Sequence, residues 1–152
     1  MFNKILLPLD GSELGEVALP YVKEMAVAGK AEVILFQVVA PPHDIQLAET
    51  YTPHLAHLSD EYIAHASTAA KDYLNKVRRR LTRKGIKAHS EVEVGQPAEK
   101  IIECAQEKEV ELIVLSTHGR SGVGRWLFGS VADKVVHGSE KPVLLIRPPT
   151  AI

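Results

Sequence analysis

The stretch Glu32-Val33-Ile34-Leu35-Phe36-Gln37-Val38-Val39 decides the fold class of this chain, because six of its eight residues are apolar and they do not alternate with polar ones. A continuous apolar run of this length indicates a strand that is covered on both faces. Phe2 to Pro8 is interpreted as a second strand of the same kind. Strands covered on both faces are typical of parallel sheets, whose crossover helices pack on each side. The two runs therefore predict the centre of an α/β fold.

Helices are predicted between the strand-like runs, and strand and helix alternate five times along the chain. Apolar residues at three- and four-residue spacing predict a helix that begins near Leu14 and that Gly29 can end. Leu55 to Leu81 has the pattern of a long amphipathic helix, and Pro97 suits the first position of another. The expected core-facing residues are Leu14, Val17, Ala18, Tyr21, Val22 and Met25, then Leu55, Leu58, Tyr62, Ala66, Ala69, Tyr73, Val77 and Leu81, then Ala98, Ile101, Ile102 and Ala105.

Three further strands complete the predicted sheet. Ile86 to Val94 alternates apolar and polar residues, which predicts an edge strand with one wet face, whereas Glu111 to Leu115 and Pro142 to Ile146 are apolar. At 152 residues and 45% hydrophobic content, we expect a single domain over residues 1–152. The alternation predicts an open five-stranded parallel sheet in the order 3-2-1-4-5, with helices on both faces, as in Rossmann-like folds. Ala40 to Pro53 is predicted to be an irregular connection, either a flap over a ligand or a simple variation in length.

The composition excludes several classes of function. The formal net charge is -1 at pH 7, so the chain has no general electrostatic attraction to nucleic acid or to an anionic membrane surface. No apolar run reaches the length of a membrane span or of a signal peptide. Cys104 is the only cysteine, so it cannot form an internal disulfide, and we expect it to pack inside the protein. These observations predict a cytoplasmic protein that binds neither nucleic acid nor membrane.

A glycine-rich stretch lies between the fourth predicted strand and the start of a helix. From Ser116 to Ser130 it reads STHGRSGVGRWLFGS. Its small residues let the backbone approach a ligand closely, and a helix that opens at Ser130 presents unpaired N–H groups and the positive end of its dipole. The stretch therefore predicts a site for a phosphate chain. The lysine-containing P-loop motif and the classical dinucleotide motif after the first strand are both absent from the sequence.

The spacing Ser116-x2-Gly119-x9-Gly129-Ser130 resembles the Gly-x2-Gly-x9-Gly-Ser/Thr signature of the ATP-binding universal stress proteins. The likeness extends to the opening Ile5 to Ser12, to a second strand that ends near Val38, and to the closing Lys141 to Ile146. One position departs from the signature, because Ser116 stands where the family usually has its first glycine. The serine side chain is small, and its hydroxyl can itself bond ribose or phosphate.

Ligands of doubly wound sheets bind where the strand order reverses, so the site is expected after the first and fourth strands. The resemblance implies that Asp10 contacts the nucleoside and that the backbone of Val38 bonds the adenine edge. Asp10 has a second interpretation, as a helix N-cap paired with Glu13. The residues assigned to the nucleotide are Pro8, Leu9, Asp10, Val38, Ser116, His118, Gly119, Arg120, Gly129, Ser130 and Val131.

Three further assignments have alternatives. Ser130 also begins a capping box that Asp133 completes, and both roles can coexist. Arg120 is either a partner of the phosphates or a solvated loop residue, and His118 is either close to phosphate or an exposed polar residue. No catalytic residue and no metal ligand set is assigned, since the histidines at 54, 57 and 65 lack a carboxylate or cysteine at a familiar ligand spacing.

The resemblance implies a small ATP-binding regulator of the stress response, with AMP and ADP as alternative ligands and Mg²⁺ held mainly by the phosphates. It also implies a homodimer through the last strand, Pro142 to Ile146, whose hydrophobic edge is otherwise exposed unless the tail Arg147 to Ile152 covers it. Two other functions stay open. One is a slow ATP-hydrolysing enzyme, for which Asp10 and His118 are the only plausible catalytic residues, and the other is an interaction module with a vestigial nucleotide site.

Overall fold

The computed structural model describes residues 1–51, 56–118 and 129–149. Its strands form one parallel sheet in the order β3-β2-β1-β4-β5, which confirms the predicted order and fold class. The sheet is parallel throughout because every connection between neighbouring strands crosses over through a helix. The strands are β1 (Lys4–Pro8), β2 (Glu32–Val39), β3 (Ala88–Val94), β4 (Leu112–Ser116) and β5 (Val143–Ile146).

Successive residues of the central strands point to opposite faces of the sheet, and each face carries its own core. Leu35 is buried on the face covered by α1 (Leu19–Gly29) and α3 (Ala56–Thr82). Its neighbour Phe36 is buried on the opposite face, under α4 (Pro97–Glu107) and α5 (Ser130–Gly138). Both residues are 0% exposed. The unbroken apolar pattern of β2 thus has the predicted cause, which is burial on two faces.

The helix after β1 begins later than its apolar spacing predicts. A 3-10 turn, Gly15–Ala18, precedes α1, and Pro20 lies at the second position of that helix. A proline is tolerated in the first helical turn and breaks a helix that continues upstream of it, so α1 starts at residue 19. The helix ends at Gly29 as predicted, and Lys30 takes the left-handed φ of 53°. Tyr21 is 52% exposed, so its assignment to the core is wrong.

The long helix α3 is confirmed, but its buried face differs from the predicted stripe. The deeply buried positions of its second half are Ala70, Leu74, Val77 and Leu81, whereas Leu58 is 40% exposed and Ala69 is exposed. Only Val77 and Leu81 belong to both sets. The reason is that the first half of α3 extends over the carboxyl end of β2, where a cavity separates the two elements. Leu55 lies outside the described residues.

The prediction that residues 40–53 are irregular is wrong for most of that segment. A helix, α2 (His43–Tyr51), occupies it and packs on α3. Its start is stabilised locally, because the Gln46 side-chain amide donates a hydrogen bond to the Pro41 carbonyl at 2.9 Å. The sequence has no clear amphipathic pattern there, and none of residues 43–47 is buried, with Leu47 44% exposed.

The remaining elements agree with the sequence. β3 is an edge strand, and α4 begins at Pro97 with Ala98, Ile101 and Ala105 buried. Cys104 is buried on the same helix, and burial, followed by the nearby carboxylates of Glu91 and Glu93, raises the pKa of its thiol to about 12. The thiol therefore stays protonated near neutral pH and packs as a small apolar group. In the described ranges, no helix has both the length and the apolar character needed to cross a membrane.

Candidate functional site

A crevice opens at the carboxyl ends of β1 and β4, where the strand order reverses. These strands pair only at Ile5 with Leu112 and at Leu6 with Ile113, and they diverge beyond those pairs. A cavity of about 320 Å³ lies in the opening, on the side of the sheet that α4 and α5 cover. It is lined by Pro8, Leu9, Asp10, Gly15, Phe36, Val38, Pro97, Ile101, Leu115, Ser116, Thr117, His118, Gly129, Ser130, Val131 and Ala132. We call it the first cavity.

Gly129 holds the start of α5 against the end of β4. Its backbone N–H donates a hydrogen bond to the Thr117 carbonyl at 2.7 Å. A Cβ atom at position 129 would lie 3.1 Å from that same carbonyl oxygen, which is closer than such contacts normally come. The dihedral angles of Gly129, φ -59° and ψ 155°, are open to any residue. Glycine is therefore favoured here by the limited space and not by backbone freedom, because a side chain would require the Thr117 carbonyl to shift by a few tenths of an ångström.

The first turn of α5 presents backbone donors to the first cavity. The first helical hydrogen bond runs from the Asp133 N–H to the Gly129 carbonyl at 3.0 Å. The N–H groups of Ser130, Val131 and Ala132 precede that bond, so they have no partner within the helix, and these three residues line the cavity. The predicted capping box at Ser130 is wrong, because Gly129 is the N-cap and Ser130 is already helical. What remains is a group of backbone amides at the positive end of a helix, an arrangement that suits an anion.

Asp10 organises the turn after β1. Its Oδ1 accepts a hydrogen bond from the Ser12 N–H at 2.9 Å and another from the Ser12 hydroxyl at 2.5 Å. The Ser12 hydroxyl oxygen in turn accepts one from the Gly15 N–H at 3.1 Å. The interpretation of Asp10 as a helix N-cap is wrong, since the following 3-10 turn has Leu14 as its N-cap and no side-chain bond. The carboxylate is held at the edge of the first cavity.

The residues that follow β4 form a tight turn. The Ser116 hydroxyl donates a hydrogen bond to the His118 carbonyl at 2.7 Å, and its oxygen accepts one from the His118 N–H at 3.3 Å. The Thr117 hydroxyl lies 2.9 Å from Nδ1 of His118. His118 is only 8% exposed, so the interpretation as an exposed polar residue is wrong. The Ser116 hydroxyl closes this turn, an interaction that a glycine at the same position cannot make.

The backbone of Val38 faces the same opening. Leu9 N–H donates to the Phe36 carbonyl at 2.8 Å, which places the backbone groups of Phe36 on the β1 side of β2. Backbone groups alternate in direction along a strand, so those of Val38 also point toward β1. The last residue of β1 pairs with Phe36, and the strand ends there. The N–H and carbonyl of Val38 are therefore directed into the crevice, at a position suited to hydrogen-bond the edge of a planar base.

The structure brings nine of the eleven predicted site residues to the first cavity, and the other two, Gly119 and Arg120, lie outside the described residues. Sequence reasoning missed the apolar wall of Phe36, Pro97, Ile101 and Leu115. The strand period of two was the available signal, since Phe36 stands two residues before Val38 and shares its face. Asp10 is the only Asp, Glu, Lys or Arg among the described lining residues, so no lysine or arginine of the described part of the chain lines this cavity.

Known proteins are similar to this chain over nearly its whole length. The model of the universal stress protein family matches residues 1–147. Universal stress protein MJ0577 of Methanocaldococcus jannaschii is 30% identical over 156 residues, which cover 97% of this chain and 96% of that protein. Universal stress protein YxiE of Bacillus subtilis is 32% identical over 150 residues, which cover 97% of this chain and all of that protein. A solved structure of MJ0577 has a TM-score of 0.85 and covers 99% of both chains.

Two more distant structures share the fold. A universal stress protein in complex with cAMP has a TM-score of 0.59 at 21% identity, over 96% of this chain and 97% of that chain. The universal stress protein from Archaeoglobus fulgidus in complex with dAMP has a TM-score of 0.56 at 18% identity, over 96% of this chain and 98% of that chain. Sequence, family model and fold thus agree on one assignment. The chain belongs to the universal stress protein family.

Proposed function

We propose that residues 1–152 form one domain that binds ATP in the first cavity and acts in the cytoplasm as a nucleotide-dependent regulator of the stress response. The observation that carries this proposal is the run of N–H groups at Ser130, Val131 and Ala132, which have no partner among the described residues and line the cavity beside the Gly129 turn. Backbone amides at a helix start are suited to a phosphate chain. The complexes of two family members with cAMP and with dAMP support an adenine nucleotide as the ligand.

The proposed pose follows from the chemistry of the two ends of the cavity. The apolar wall of Phe36, Ile101 and Leu115 suits a planar base, whose edge the backbone of Val38 would bond. Asp10 stands at the edge of the cavity, where its carboxylate would accept hydrogen bonds from ribose hydroxyls. The phosphates would extend to the first turn of α5, with Gly119 and Arg120 as additional proposed contacts. Mg²⁺ would be held mainly by the phosphates and would reduce their mutual repulsion.

Titration calorimetry with ATP, ADP and AMP tests this proposal, and GTP is the matched control for the base. A few N–H bonds to a charged partner, at about 1.5–3 kcal/mol each, suffice for micromolar affinity, about 8 kcal/mol. We expect ATP to bind in that range, GTP to bind at least about tenfold more weakly, and no phosphate release over hours. Release at a steady rate would favour the slow ATP-hydrolysing enzyme. No binding of any nucleotide would favour the interaction module with a vestigial site.

The regulatory step proposed here is a population shift. A ligand stabilises whichever conformation binds it better, so ATP would favour one arrangement of the segments that contact the phosphates. The glycine-rich segment 119–128 is the proposed responsive element, because it connects two cavity residues, His118 and Gly129. Partner proteins would then distinguish the ATP-bound from the free protein by the surface of that segment.

We further propose that two copies associate through their β5 strands. Ile113 N–H donates to the Pro142 carbonyl and Thr117 N–H donates to the Ile146 carbonyl, both at 2.9 Å, so even-numbered residues of β5 face β4. The backbone groups of Val143 and Leu145 therefore point away from β4, toward an edge without a strand partner in the described part of the chain. A two-fold axis at this edge would join the two sheets and cover the β5 edge of each copy.

Replacing Val143 with proline is expected to convert the dimer into a monomer. Proline removes an outward N–H at the first residue of an edge strand, where the pairing with β4 does not use that group. The mass in solution, measured by light scattering after gel filtration, should fall by half. Val94→Pro is the matched control, because Val94 ends the opposite edge strand and is 45% exposed. A monomeric wild-type protein would support the tail 147–152 as the cover of this edge.

A further inference from the structure

We infer that copies of this chain bind one another through two exposed rows of charge, with the basic row of one copy lying on the acidic row of the next. The basic row, on the second half of α3 and in the turn after it, is Lys76, Arg80 and Lys84. The acidic row, on α4, is Glu99, Glu103 and Glu107. All six residues are exposed. Neither row lines the first cavity, so this inference is independent of the proposed nucleotide site.

The basic row lies in a strongly charged part of the sequence. Six of the nine residues 76–84 are lysine or arginine, and none is aspartate or glutamate. These charges also crowd together in space, because burial, followed by the charges of Arg80 and Lys84, lowers the pKa of Lys23 on α1. Within the described part of the chain the row forms one ion pair, from Arg80 to Glu16 at 3.1 Å. An anionic partner would therefore reduce the repulsion on this surface.

The acidic row has the opposite excess of charge. Its residues are spaced by four positions on α4, so their side chains lie along one side of that helix. The hydrogen bond to Glu103, followed by the charges of more distant carboxylates such as Glu107, raises the pKa of Lys100. Lys100 pairs with Glu103 at 3.3 Å, whereas Glu99 and Glu107 have no ion pair with any described residue. A cationic partner would therefore stabilise these carboxylates.

The two rows of one copy cannot pair with each other. α3 packs on one face of the sheet and α4 packs on the other, so the sheet separates the rows. Each row can meet the opposite row only on another molecule. When the acidic row of a second copy takes the basic row of the first, the basic row of the second copy stays open for a third. The contact is therefore heterologous, and it adds copies in one direction.

The spacing of the two rows also matches. Residues four positions apart on a helix have Cβ atoms about 5–6 Å apart, so the charges of both rows repeat at about the same distance. The Arg83 N–H still bonds the Arg79 carbonyl at 3.0 Å, so the helical path continues to the residue before Lys84. Two helices whose rows of this kind lie side by side cross at about 50°, the commonest packing in globular proteins. The rows are thus complementary in both charge and spacing.

The charge of the whole chain favours a second copy over a nucleic acid or a membrane. The formal net charge is -1 although residues 76–84 alone carry six positive charges, so the rest of the chain carries a negative net charge. A long polyanion at the basic row would also meet this negative charge elsewhere on the surface. Another copy of the chain brings a limited acidic surface and, in its own basic row, the partner that the acidic row needs.

Sedimentation of the full-length protein at two salt concentrations tests this inference. Exposed ion pairs are individually weak and are screened by salt, so association through the rows should be weak and should disappear when salt is added. In about 10 mM salt, where charges act over about 30 Å, we expect the average mass to rise with protein concentration. It should reach at least about twice the mass in about 1 M salt, where charges act over about 3 Å. Equal masses at both salt concentrations would overturn the inference.

Reversal of charge in either row locates the contact. Lys76→Glu combined with Lys84→Glu gives both rows of a copy a net negative charge, so this variant should not associate with itself. Glu99→Lys combined with Glu107→Lys gives both rows a net positive charge and should have the same effect. An equimolar mixture should recover association, because the intact basic row of the second variant meets the intact acidic row of the first. A mixture that stays dissociated would refute the pairing of these rows.

Lys71→Glu combined with Lys134→Glu is the matched control for the basic row. It changes the net charge by the same amount as Lys76→Glu with Lys84→Glu, and both of its positions are exposed and outside the rows. We expect the control to associate like the wild-type protein. If the control also lost association, net charge and not the basic row would be the cause, and the inference would be wrong. Circular dichroism verifies the fold of every variant, and either row variant is sufficient for the comparison with the wild-type protein.

Discussion

Replacing Gly129 with valine is expected to weaken ATP binding by about a hundredfold or more, while most of the stability of the fold is retained. The Cβ of any residue at this position would lie 3.1 Å from the Thr117 carbonyl oxygen, and valine adds two methyl groups. The start of α5 would move away from β4, and the N–H groups of Ser130 and Val131 would leave the phosphates. Two such bonds contribute about 3–6 kcal/mol, which corresponds to a loss of affinity of at least about a hundredfold.

The other end of the same helix offers a matched control for this variant. A Cβ at Gly138 would lie 2.8 Å from Cδ1 of Ile102, the end of a flexible side chain that can rotate away. Gly129→Ala and Gly138→Ala therefore add the same methyl group to α5, and calorimetry should detect weaker ATP binding only for Gly129→Ala. Equal affinities in both variants, with both proteins folded, would contradict the placement of the phosphates at this helix start.

Replacing Phe36 with alanine is expected to lower the free energy of unfolding by about 3–5 kcal/mol. The ring is 0% exposed and packs in the core under α4 and α5, so its removal leaves a cavity. Since domains of this size are stable by only about 5–15 kcal/mol, this loss is a large part of the total. Urea unfolding followed by circular dichroism measures it as a lower midpoint at an unchanged slope.

The variant Leu35→Ala is the control that distinguishes an effect on stability from an effect on binding. Leu35→Ala opens the core on the other face and should cost about 2–5 kcal/mol, yet Leu35 does not line the first cavity. We expect Phe36→Ala to change the affinity for ATP, because the ring lines the first cavity, and Leu35→Ala to leave it unchanged. If both variants lost affinity in proportion to their lost stability, Phe36 would have no direct contact with the base.

The fold was predictable from the sequence because burial on two faces leaves a strong pattern. β2 has continuous apolar residues, β3 alternates, and Pro97 begins α4, so each element could be assigned from local features. α2 could not, since its sequence lacks the clear apolar spacing on which such predictions depend. The buried face of α3 was misassigned for a different reason. Periodicity identifies one face of a helix but does not show whether that face meets a core or a cavity.

The sequence predicted which residues line the candidate site better than it predicted their hydrogen bonds. Strand order and the glycine spacing brought nine predicted residues to one cavity. The capping box at Ser130 failed because helix starts shift by one residue when the preceding glycine takes the N-cap position. The N-cap assignment of Asp10 failed because its carboxylate bonds Ser12 within the turn. Hydrogen bonds over two residues compete with capping, and spacing alone does not distinguish them.

The main-chain donors at the start of α5 have a consequence for how this site changes in evolution. Substitutions at Ser130, Val131 or Ala132 by any residue except proline alter a side chain and leave the N–H in place, so many residue types are compatible with the proposed anion site. We therefore expect the proposed binding to be lost through bulk at position 129 more readily than through the loss of a charged or polar side chain. Family members that have abandoned nucleotides should be recognised by a larger residue at that position, even where the rest of the helix is retained.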